Sequence, residues 1–415
     1  MTHDADVIIA GAGMAGATLG LALHQAGLRP ILIDPAPFET QLEPTFDGRS
    51  SAIAYAAFRQ WRAIGVGEAL APHAQPIEQI LVTDGRTPGA ATGSPSPFFL
   101  RFDSTEIADR SDGEPLGYLI ENRQTRAALS RAVVDAGIEV LAPAKVAGLH
   151  VEADRVQVRL EDGRRISAPL VIGAEGRGSV VRREAGIGLI GWDYRQTGVV
   201  ATVGLEHDHA GVAHEYFLPG GPFAILPLTG QRASLVWTET RSRAEALRQA
   251  RPEAFLAHLQ RRFGDCMGRV SVEGPVFSYP LSLQLAERFH APRIALLGDA
   301  AHGVHPIAGQ GLNLGLKGAA ALAQTLVEAA RLGEDIGSEA VLERYARWRR
   351  FDTAILAAGM DAFVHLFSND NPLLRFARGA GMAAVNRIGP ARRMFMQEAG
   401  GALGDLPRLL RGQPL

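Results

Sequence analysis

The chain opens on a short apolar run, Val7-Ile-Ile-Ala10, closed by Gly11, which is strand-length and predicts a buried β-strand. From Ala17 to Ala26 the apolar residues recur with helical spacing. Leu28-Arg-Pro-Ile-Leu-Ile-Asp34 then reads as a second strand that ends on an acid. Strand, helix and strand in that order predict a parallel unit. Leu170-Val-Ile-Gly173 repeats the buried-strand pattern and runs into a loop of small and charged residues. Arg293-Ile-Ala-Leu-Leu-Gly298 does so again, and a long helix follows through about Ala329. Between Gly188 and Leu283 the pattern changes. Runs such as Val199 to Val203 and Ala233 to Trp237 alternate with turn residues and predict antiparallel sheet, with a strand or two added from 52–100. Helices are expected after Arg350.

Composition narrows the class. The 415 residues carry 42 Lys+Arg against 44 Asp+Glu, a net charge of −2, so no broad positive field exists to hold nucleic acid. The 47% hydrophobic content supports a large core and excludes disorder as the main state. Cys266 is the single cysteine, which excludes an intrachain disulfide, a cysteine-based zinc site and an iron–sulfur cluster, and fits a reducing compartment. Val7 to Leu28 carries no formal charge and has the length of a membrane span. Five glycines interrupt it, and the flanking Asp4 and Asp6 are acidic where a secretory signal needs positive charge.

Three glycine-rich landmarks carry the chemistry. In Gly11-Ala-Gly13-Met14-Ala15-Gly16 the spacing is that of a dinucleotide fingerprint, placed between a predicted strand and helix, with Asp34 lying 34 − 11 = 23 positions after Gly11. Gly11 permits the turn, Gly13 lets backbone approach a pyrophosphate at the helix N-terminus, and Gly16 allows close helix–strand packing. Asp34 suits an adenosine ribose. The second landmark, Gly173-Ala-Glu175-Gly176-Arg177-Gly178-Ser179, reads either as a loop laid along a cofactor or as a helix entry capped by serine. The third, Gly298-Asp299-Ala-Ala-His302-Gly-Val-His305-Pro306-Ile-Ala-Gly309-Gln-Gly311-Leu312-Asn313, delivers an acid from a strand and opens a long helix, whose positive dipole end would stabilise an anionic or electron-rich ring.

Together with Asp47-Gly-Arg49, Glu121-Asn-Arg123, Gly221-Pro-Phe-Ala-Ile-Leu-Pro227 and the tail from Ala399 to Leu410, these segments resemble the FAD-dependent aromatic hydroxylases similar to para-hydroxybenzoate hydroxylase. The ubiquinone-biosynthesis hydroxylases are the nearest group. The resemblance implies an α/β fold: a Rossmann-like FAD-binding domain from 1–51, 101–187 and 284–350, an inserted, mostly antiparallel substrate domain from 52–100 and 188–283, and a C-terminal helical region over 351–415. It implies that Gly11, Gly13, Met14, Ala15, Gly16 and Asp34 hold the ADP half of FAD, while Asp299 meets the ribityl chain. Arg49 and Arg123 would lie along the phosphate and ribityl region. Pro306, Gly309, Gly311, Leu312 and Asn313 would border the flavin pyrimidine edge. The resemblance also makes the second landmark, with Glu175 as a cofactor-binding residue, the family's shared FAD and nicotinamide loop; Glu175 stands where the family commonly has Asp, and Asp34 where it often has Glu. Gly315 comes one residue too late to complete a second fingerprint, so NAD(P)H has no Rossmann domain of its own, and the resemblance implies that it binds transiently on the FAD domain surface.

The implied reaction uses NAD(P)H and O2 to hydroxylate the ring of a hydrophobic, polyprenylated phenol. No catalytic side chain is assigned, since flavin C4a carries the chemistry. Phe223, Leu226, Pro227 and His305 are the candidate substrate lining. The alternatives are a flavin reductase acting on an isoprenoid double bond and a flavoprotein scaffold of a biosynthetic complex.

No metal site is expected. Glu206-His207-Asp208-His209 reads as a solvated turn between two apolar runs, and His302 and His305, within the flavin motif, suit positioning or proton relay. From Arg375 onward seven arginines face Glu398 and Asp405, a local charge of 7 − 2 = +5, interleaved with apolar residues. That pattern suits docking on anionic lipid or on other ubiquinone-biosynthesis proteins. A helical tail packed on the FAD domain with a solvated Arg face is the alternative. The expected location is cytoplasmic, with peripheral contact at the inner face of the membrane.

Overall fold

The computed structural model describes residues 3–42, 47–84, 99–106, 113–218, 220–264, 267–304, 309–349, 385 and 388–415. The first third of the chain supplies β1 (Val7–Ala10), α1 (Met14–Gln25), β2 (Pro30–Ile33), α2 (Glu39–Leu42), β3 (Ser50–Ala54), α3 (Tyr55–Ala63) and α4 (Gly67–Leu70). Next come β4 (Gln75–Ile77), β5 (Gln79–Asp84), β6 (Phe99–Asp103), β7 (Gly117–Glu121), α5 (Asn122–Asp135) and β8 (Glu139–Leu141). The middle holds β9 (Val146–Val151), β10 (Val156–Leu160), β11 (Arg165–Ala168), β12 (Leu170–Gly173), α6 (Val180–Glu184), β13 (Leu189–Leu205) and β14 (Val212–Leu218). After β15 (Gly221–Leu228) and β16 (Arg232–Thr240), helices α7 (Arg241–Gln249) and α8 (Pro252–Phe263) precede β17 (Val270–Ala286). The strands β18 (His290–Ala291), β19 (Ile294–Leu296) and β20 (His302–Gly303) lead into α9 (Gln310–Arg331).

A six-stranded sheet in the order β18-β19-β12-β1-β2-β8 forms the nucleotide-binding body, all parallel except β18. Its central strands β1, β2 and β12 are buried at every position, which is why they read as unbroken apolar runs rather than alternating ones. The small antiparallel sheet β9-β10-β11 lies in the crossover from β8 to β12. A three-stranded sheet, β3-β7-β4, carries the chain out of this body.

The second large sheet has eight strands, β20-β17-β13-β16-β15-β14-β5-β6, antiparallel throughout except for the β14–β5 pair. Its two faces differ. On one, Val199, Phe223, Ile225, Leu235 and Trp237 pack under Phe255, Leu259 and Phe263 of α8. On the other, Ala213, Leu226 and Leu228 meet Ala52, Ile77 and Leu119 of the β3-β7-β4 sheet. The sheet is thus held between a helical layer and the nucleotide-binding body.

The expected boundary at residue 52 shifts. β3, α3 and β4 belong with the nucleotide-binding body, where Phe58 and Trp61 are buried in its core, and only β5 and β6 join the large sheet. Amphipathic α3 is drawn inward because Trp61 also donates its indole N–H to Thr18 Oγ1 of α1 at 3.0 Å. The C-terminal segment closes on the same body. Leu409 and Leu410 are buried there, and the Gly400 carbonyl accepts from the Ala56 N–H at 3.3 Å.

Trp61 therefore cross-links α1 and α3. Trp61→Ala is expected to lower unfolding stability by about 3–5 kcal/mol through lost burial and a residual cavity. Trp61→Phe, which keeps most of the ring, should cost about half as much or less. Urea denaturation followed by circular dichroism measures both.

Candidate functional site

The fingerprint loop is built by contacts that exclude side chains. Gly11 has φ +106°, its N–H donates to the Ile33 carbonyl at 2.7 Å, and a Cβ there would stand 2.4 Å from the Ala174 carbonyl oxygen. A Cβ on Gly16 would stand 1.9 Å from the Gly11 oxygen, whereas one on Gly13 would meet nothing within 4 Å. Backbone is thus packed tightly behind the loop and open in front of it. Gly13 caps α1 without a side chain, so the N–H groups of Met14, Ala15 and Gly16 point out of the helix end with no intrahelical acceptor. Asp34 sits at the end of β2, 8% exposed. It holds the loop in place: Oδ2 accepts from the Ala12 N–H and Oδ1 from the Ala36 N–H, both at 2.9 Å.

The third landmark converges on the same point. A Cβ on Gly298 would lie 3.5 Å from the Ala15 Cβ, and one on Gly315 of α9 would lie 3.4 Å from the Gly298 Cα and 3.7 Å from the Ala15 Cβ. The first turn of α1 and the second turn of α9 therefore approach across the Gly298-Asp299 loop. Like α1, α9 starts on a glycine with no side-chain cap, Gly309 at φ +65°. Asn313 ties this helix end to β3, its Oδ1 accepting from the Ala54 N–H at 3.0 Å and its Nδ2 donating to the Ala52 and Gly309 carbonyls at 2.8 and 3.2 Å. The Asn313 side chain is thus structural, and only its backbone is free to face a ring.

Asp299 is 48% open at its side chain, yet desolvation pushes its carboxyl pKa up while Arg177, with Nε at 3.8 Å, pulls it down. An acid both open and desolvated lines a crevice. Arg177 also donates to Ser282 Oγ at 2.6 Å and to the Ser282 and Val304 carbonyls at 3.3 and 3.4 Å, which ties the second landmark to β17 and to the third. At the crevice edge Arg49 pairs with Asp47 at 3.2 Å and lies 5.7 Å from the Tyr279 ring centre. Arg123, in the first turn of α5, pairs with Glu121 at 3.1 Å.

Other sequence-picked residues fall elsewhere. The Glu175 carboxylate turns to the start of α6, accepting from Ser179 Oγ and from the N–H groups of Val180 and Val181 at 3.2 and 3.3 Å, while Ser179 Oγ caps the Arg182 N–H. Its carboxylate is a helix cap, and Ser179 is the capping serine of the second reading. Phe223 is fully buried between the sheet and α8, edge-on to Trp237 and Phe263, on the face away from the nucleotide-binding body, so it does not line a pocket there. Pro227 shares the Phe223 face by strand alternation, and Leu226 alone of the three turns toward the nucleotide-binding body. His305 and Pro306 lie outside the described residues, as do Cys266, Arg375, Arg378 and Arg387.

His302 is 3% exposed, held down to about 4 by desolvation and by the Arg349 charge, and packs against Phe289. It is a neutral core residue rather than a relay. The Glu206–His209 turn is largely solvated, but His209 is buried and pins it, with Nε2 2.8 Å from the Leu228 carbonyl. Among the described residues no group of acids, histidines or cysteines forms a metal site. In the C-terminal region Arg392 pairs with Glu106 and Met396 is buried, so this stretch packs on the protein body. No helix among the described residues is long and apolar enough to cross a membrane.

The sequence reading missed Glu215. It lies in β14 between Ala213 and Phe217, on the sheet face turned toward the nucleotide-binding body, and burial pushes its carboxyl up to about 7. The available signal was an acid at the centre of an apolar strand, Val212 to Leu218.

Two uncapped helix ends converging on one crevice, beside glycines that cannot carry a side chain, form a donor set suited to a dinucleotide's phosphates and an electron-rich ring. The fold and the crevice define a dinucleotide-binding α/β protein with a large sheet laid over its cofactor site. Residues 4–355 match the FAD binding domain family, and the chain belongs to it: an FAD-dependent enzyme of the monooxygenase type. The chain is similar to the ubiquinone hydroxylase UbiL of Rhodospirillum rubrum, 46% identical over 415 residues that cover 99% of this chain and 94% of that protein. It is 35% identical to the 3-demethoxyubiquinol 3-hydroxylase of Escherichia coli, covering 95% and 98% of the two chains. Among solved structures, p-nitrophenol 4-monooxygenase PnpA of Pseudomonas putida superposes with a TM-score of 0.79 at 18% identity, covering 96% and 98%, which shows the shared fold.

Two outcomes follow from this geometry. Gly16→Ala forces a Cβ into the Gly11 carbonyl, so the variant should retain less than a tenth of the bound flavin, read from the absorbance of purified protein. Glu215→Gln tests the buried acid. Because the folded-state pKa is about 7 against an ordinary 4.5, the unfolded chain gives up its proton first as pH rises, and stability is lost between those values. The variant should match the parent at pH 4 and exceed it by about 1–3 kcal/mol at pH 8 in urea unfolding.

Proposed function

We propose that the protein is an FAD-dependent, NAD(P)H- and O2-consuming monooxygenase that hydroxylates the aromatic ring of a polyprenylated phenol in ubiquinone biosynthesis. The observation that carries this reading is the approach of α1 and α9, two helices with uncapped N-termini, at Gly298, with Ala52 linking the start of α9 to Leu226 on the apolar face of the eight-stranded sheet. The relatives named for ubiquinone hydroxylation, alike over almost the whole chain, support the substrate class.

In this assignment the backbone of Gly11, Gly13, Met14, Ala15 and Gly16 receives the pyrophosphate. Each Asp34 oxygen already accepts one backbone N–H and keeps a further lone pair for ribose hydroxyls. Asp299, Arg49 and Arg123 border the ribityl and phosphate region. The N–H groups of Gly311 and Leu312, at the positive end of α9, stabilise negative charge on the ring's pyrimidine edge. When bound, FAD would supply the two-electron chemistry between NAD(P)H and O2, one oxygen atom entering the ring and the other leaving as water. The remaining work is done by the chain: the apolar sheet face excludes water from the ring. The packed C-terminal segment, with Ile388, Met394 and Phe395 exposed beside Arg393, is where contact with a membrane surface would fall.

The test is anaerobic reduction of the FAD-loaded protein by NADH or NADPH, followed by O2 and a prenylphenol. Hydroxylated product by mass spectrometry, with one oxygen atom from 18O2, is the expected result. Flavin reoxidation that leaves the phenol unchanged would refute it. For Asp299→Ala, flavin affinity should fall about tenfold or more, measured by fluorescence titration of the apoprotein.

A further inference from the structure

We propose that Glu215 recognises the phenolic hydroxyl of the substrate, accepting its hydrogen bond on the sheet floor of the crevice; this rests on the aromatic-hydroxylase reading and names the group that orients the ring. The sheet register places Glu215 in a cross-strand row with Val82, Ala224, Val236, Val200 and Phe277. Directly paired residues point to the same face, so this row is an apolar floor with one acid in it.

The exposure pattern shows that the floor borders open space. Within the row Val200, Glu215, Val236 and Phe277 are only partly buried while Val82 and Ala224 are buried, whereas Val199, Phe223, Leu235 and Trp237, on the helix-covered face, are all buried. The same face carries Leu226 against Ala52, and Ala52 in turn is the neighbour that a Cβ on Gly309 would strike at 2.9 Å. The floor therefore leads to the N-terminal end of α9.

Among the described residues no hydrogen bond or ion pair engages the Glu215 carboxylate. Glu239, a buried acid of the same sheet on its helix-covered face, is by contrast held by partners, its Oε1 accepting from Arg262 at 2.6 Å and from the Trp237 indole at 3.2 Å. A carboxylate left unpaired in an apolar setting costs stability unless a ligand supplies the donor. Burial raises its pKa to about 7, close to neutral pH. A phenol supplies one O–H donor, and the rest of its ring suits Val82, Ala224 and Val236. Accepting that hydrogen bond also increases electron density on the ring that is to be hydroxylated.

The decisive comparison uses two probes, a phenol with a two-isoprene ortho chain and its O-methyl ether, which lacks the donor. Dissociation constants are read from flavin fluorescence in the FAD-loaded full chain. The parent is expected to prefer the phenol at least tenfold, since a site built around a hydroxyl discriminates against the analogue lacking it. In Glu215→Leu the phenol should weaken tenfold or more while the ether changes less than twofold, bringing the ratio near one. Glu215→Gln, which keeps the shape and removes the buried charge, should lower the ratio at least threefold and carries the test if the leucine variant does not fold. Unchanged ratios in a parent that still hydroxylates the phenol would overturn the role of Glu215 and leave the enzyme reading standing. Failure of the parent to bind or hydroxylate either probe would overturn both.

Discussion

The contact on which the rest of the structure depends is the three-way approach of Ala15, Gly298 and Gly315. At these positions the start of α1, the turn after β19 and the second turn of α9 lie so close that a Cβ added at Gly298 or Gly315 would already be in van der Waals contact with its neighbours. This closeness brings two helix N-termini to one place. Each contributes outward-facing N–H groups and the positive end of a helix dipole, and neither is neutralised by a capping side chain. Electrostatics that would be unfavourable in an isolated protein become favourable when an anionic, electron-rich cofactor fills the crevice. The glycines thus serve packing behind the site and access in front of it.

The second constraint is the alignment of the eight-stranded sheet over this crevice. Two fasteners set it: Arg177 reaching Ser282 and Val304, and the apolar contact of Leu226 and Leu228 with Ile77 and Leu119. Arg182, 4% exposed, backs this arrangement by donating to the Ala300 and Arg177 carbonyls at 3.1 and 3.0 Å rather than to an acid. A buried guanidinium satisfied by backbone carbonyls holds loops in register, because its planar fork fixes several directions at once. The helical layer of α7 and α8 closes the opposite face and frees the inner one for a ligand.

The parallel body was legible in the chain because its strands are buried on both faces and its turns require glycine, so both signals are local. The antiparallel character of 188–283 was legible as alternation. The junction near residue 52 was not. Strands β3 and β4 are short, and whether such a segment joins one sheet or another depends on partners more than sixty residues away, as in the pairing of Ser50 with Glu121. The substrate side shows the same division. Phe223, Leu226 and Pro227 were picked as one apolar run, but a strand sends alternate side chains to opposite faces, and which face meets the crevice is set by packing against α8.

What the sequence determined by itself is the cofactor end: the fingerprint loop, the acid at the end of β2 and the glycine-led start of α9 are specified by residues close together in the chain, since backbone conformation and helix-end geometry are short-range properties. Only the tertiary structure decided which polar groups are committed elsewhere. Glu175 became a helix cap, His302 a neutral core residue and Asn313 a staple, while Glu215, a single acid in an apolar strand, was left unpaired on the inner face. The physical reason is that a polar side chain's role depends on its partners and its desolvation, and both are set by segments distant in sequence that only the folded chain brings together.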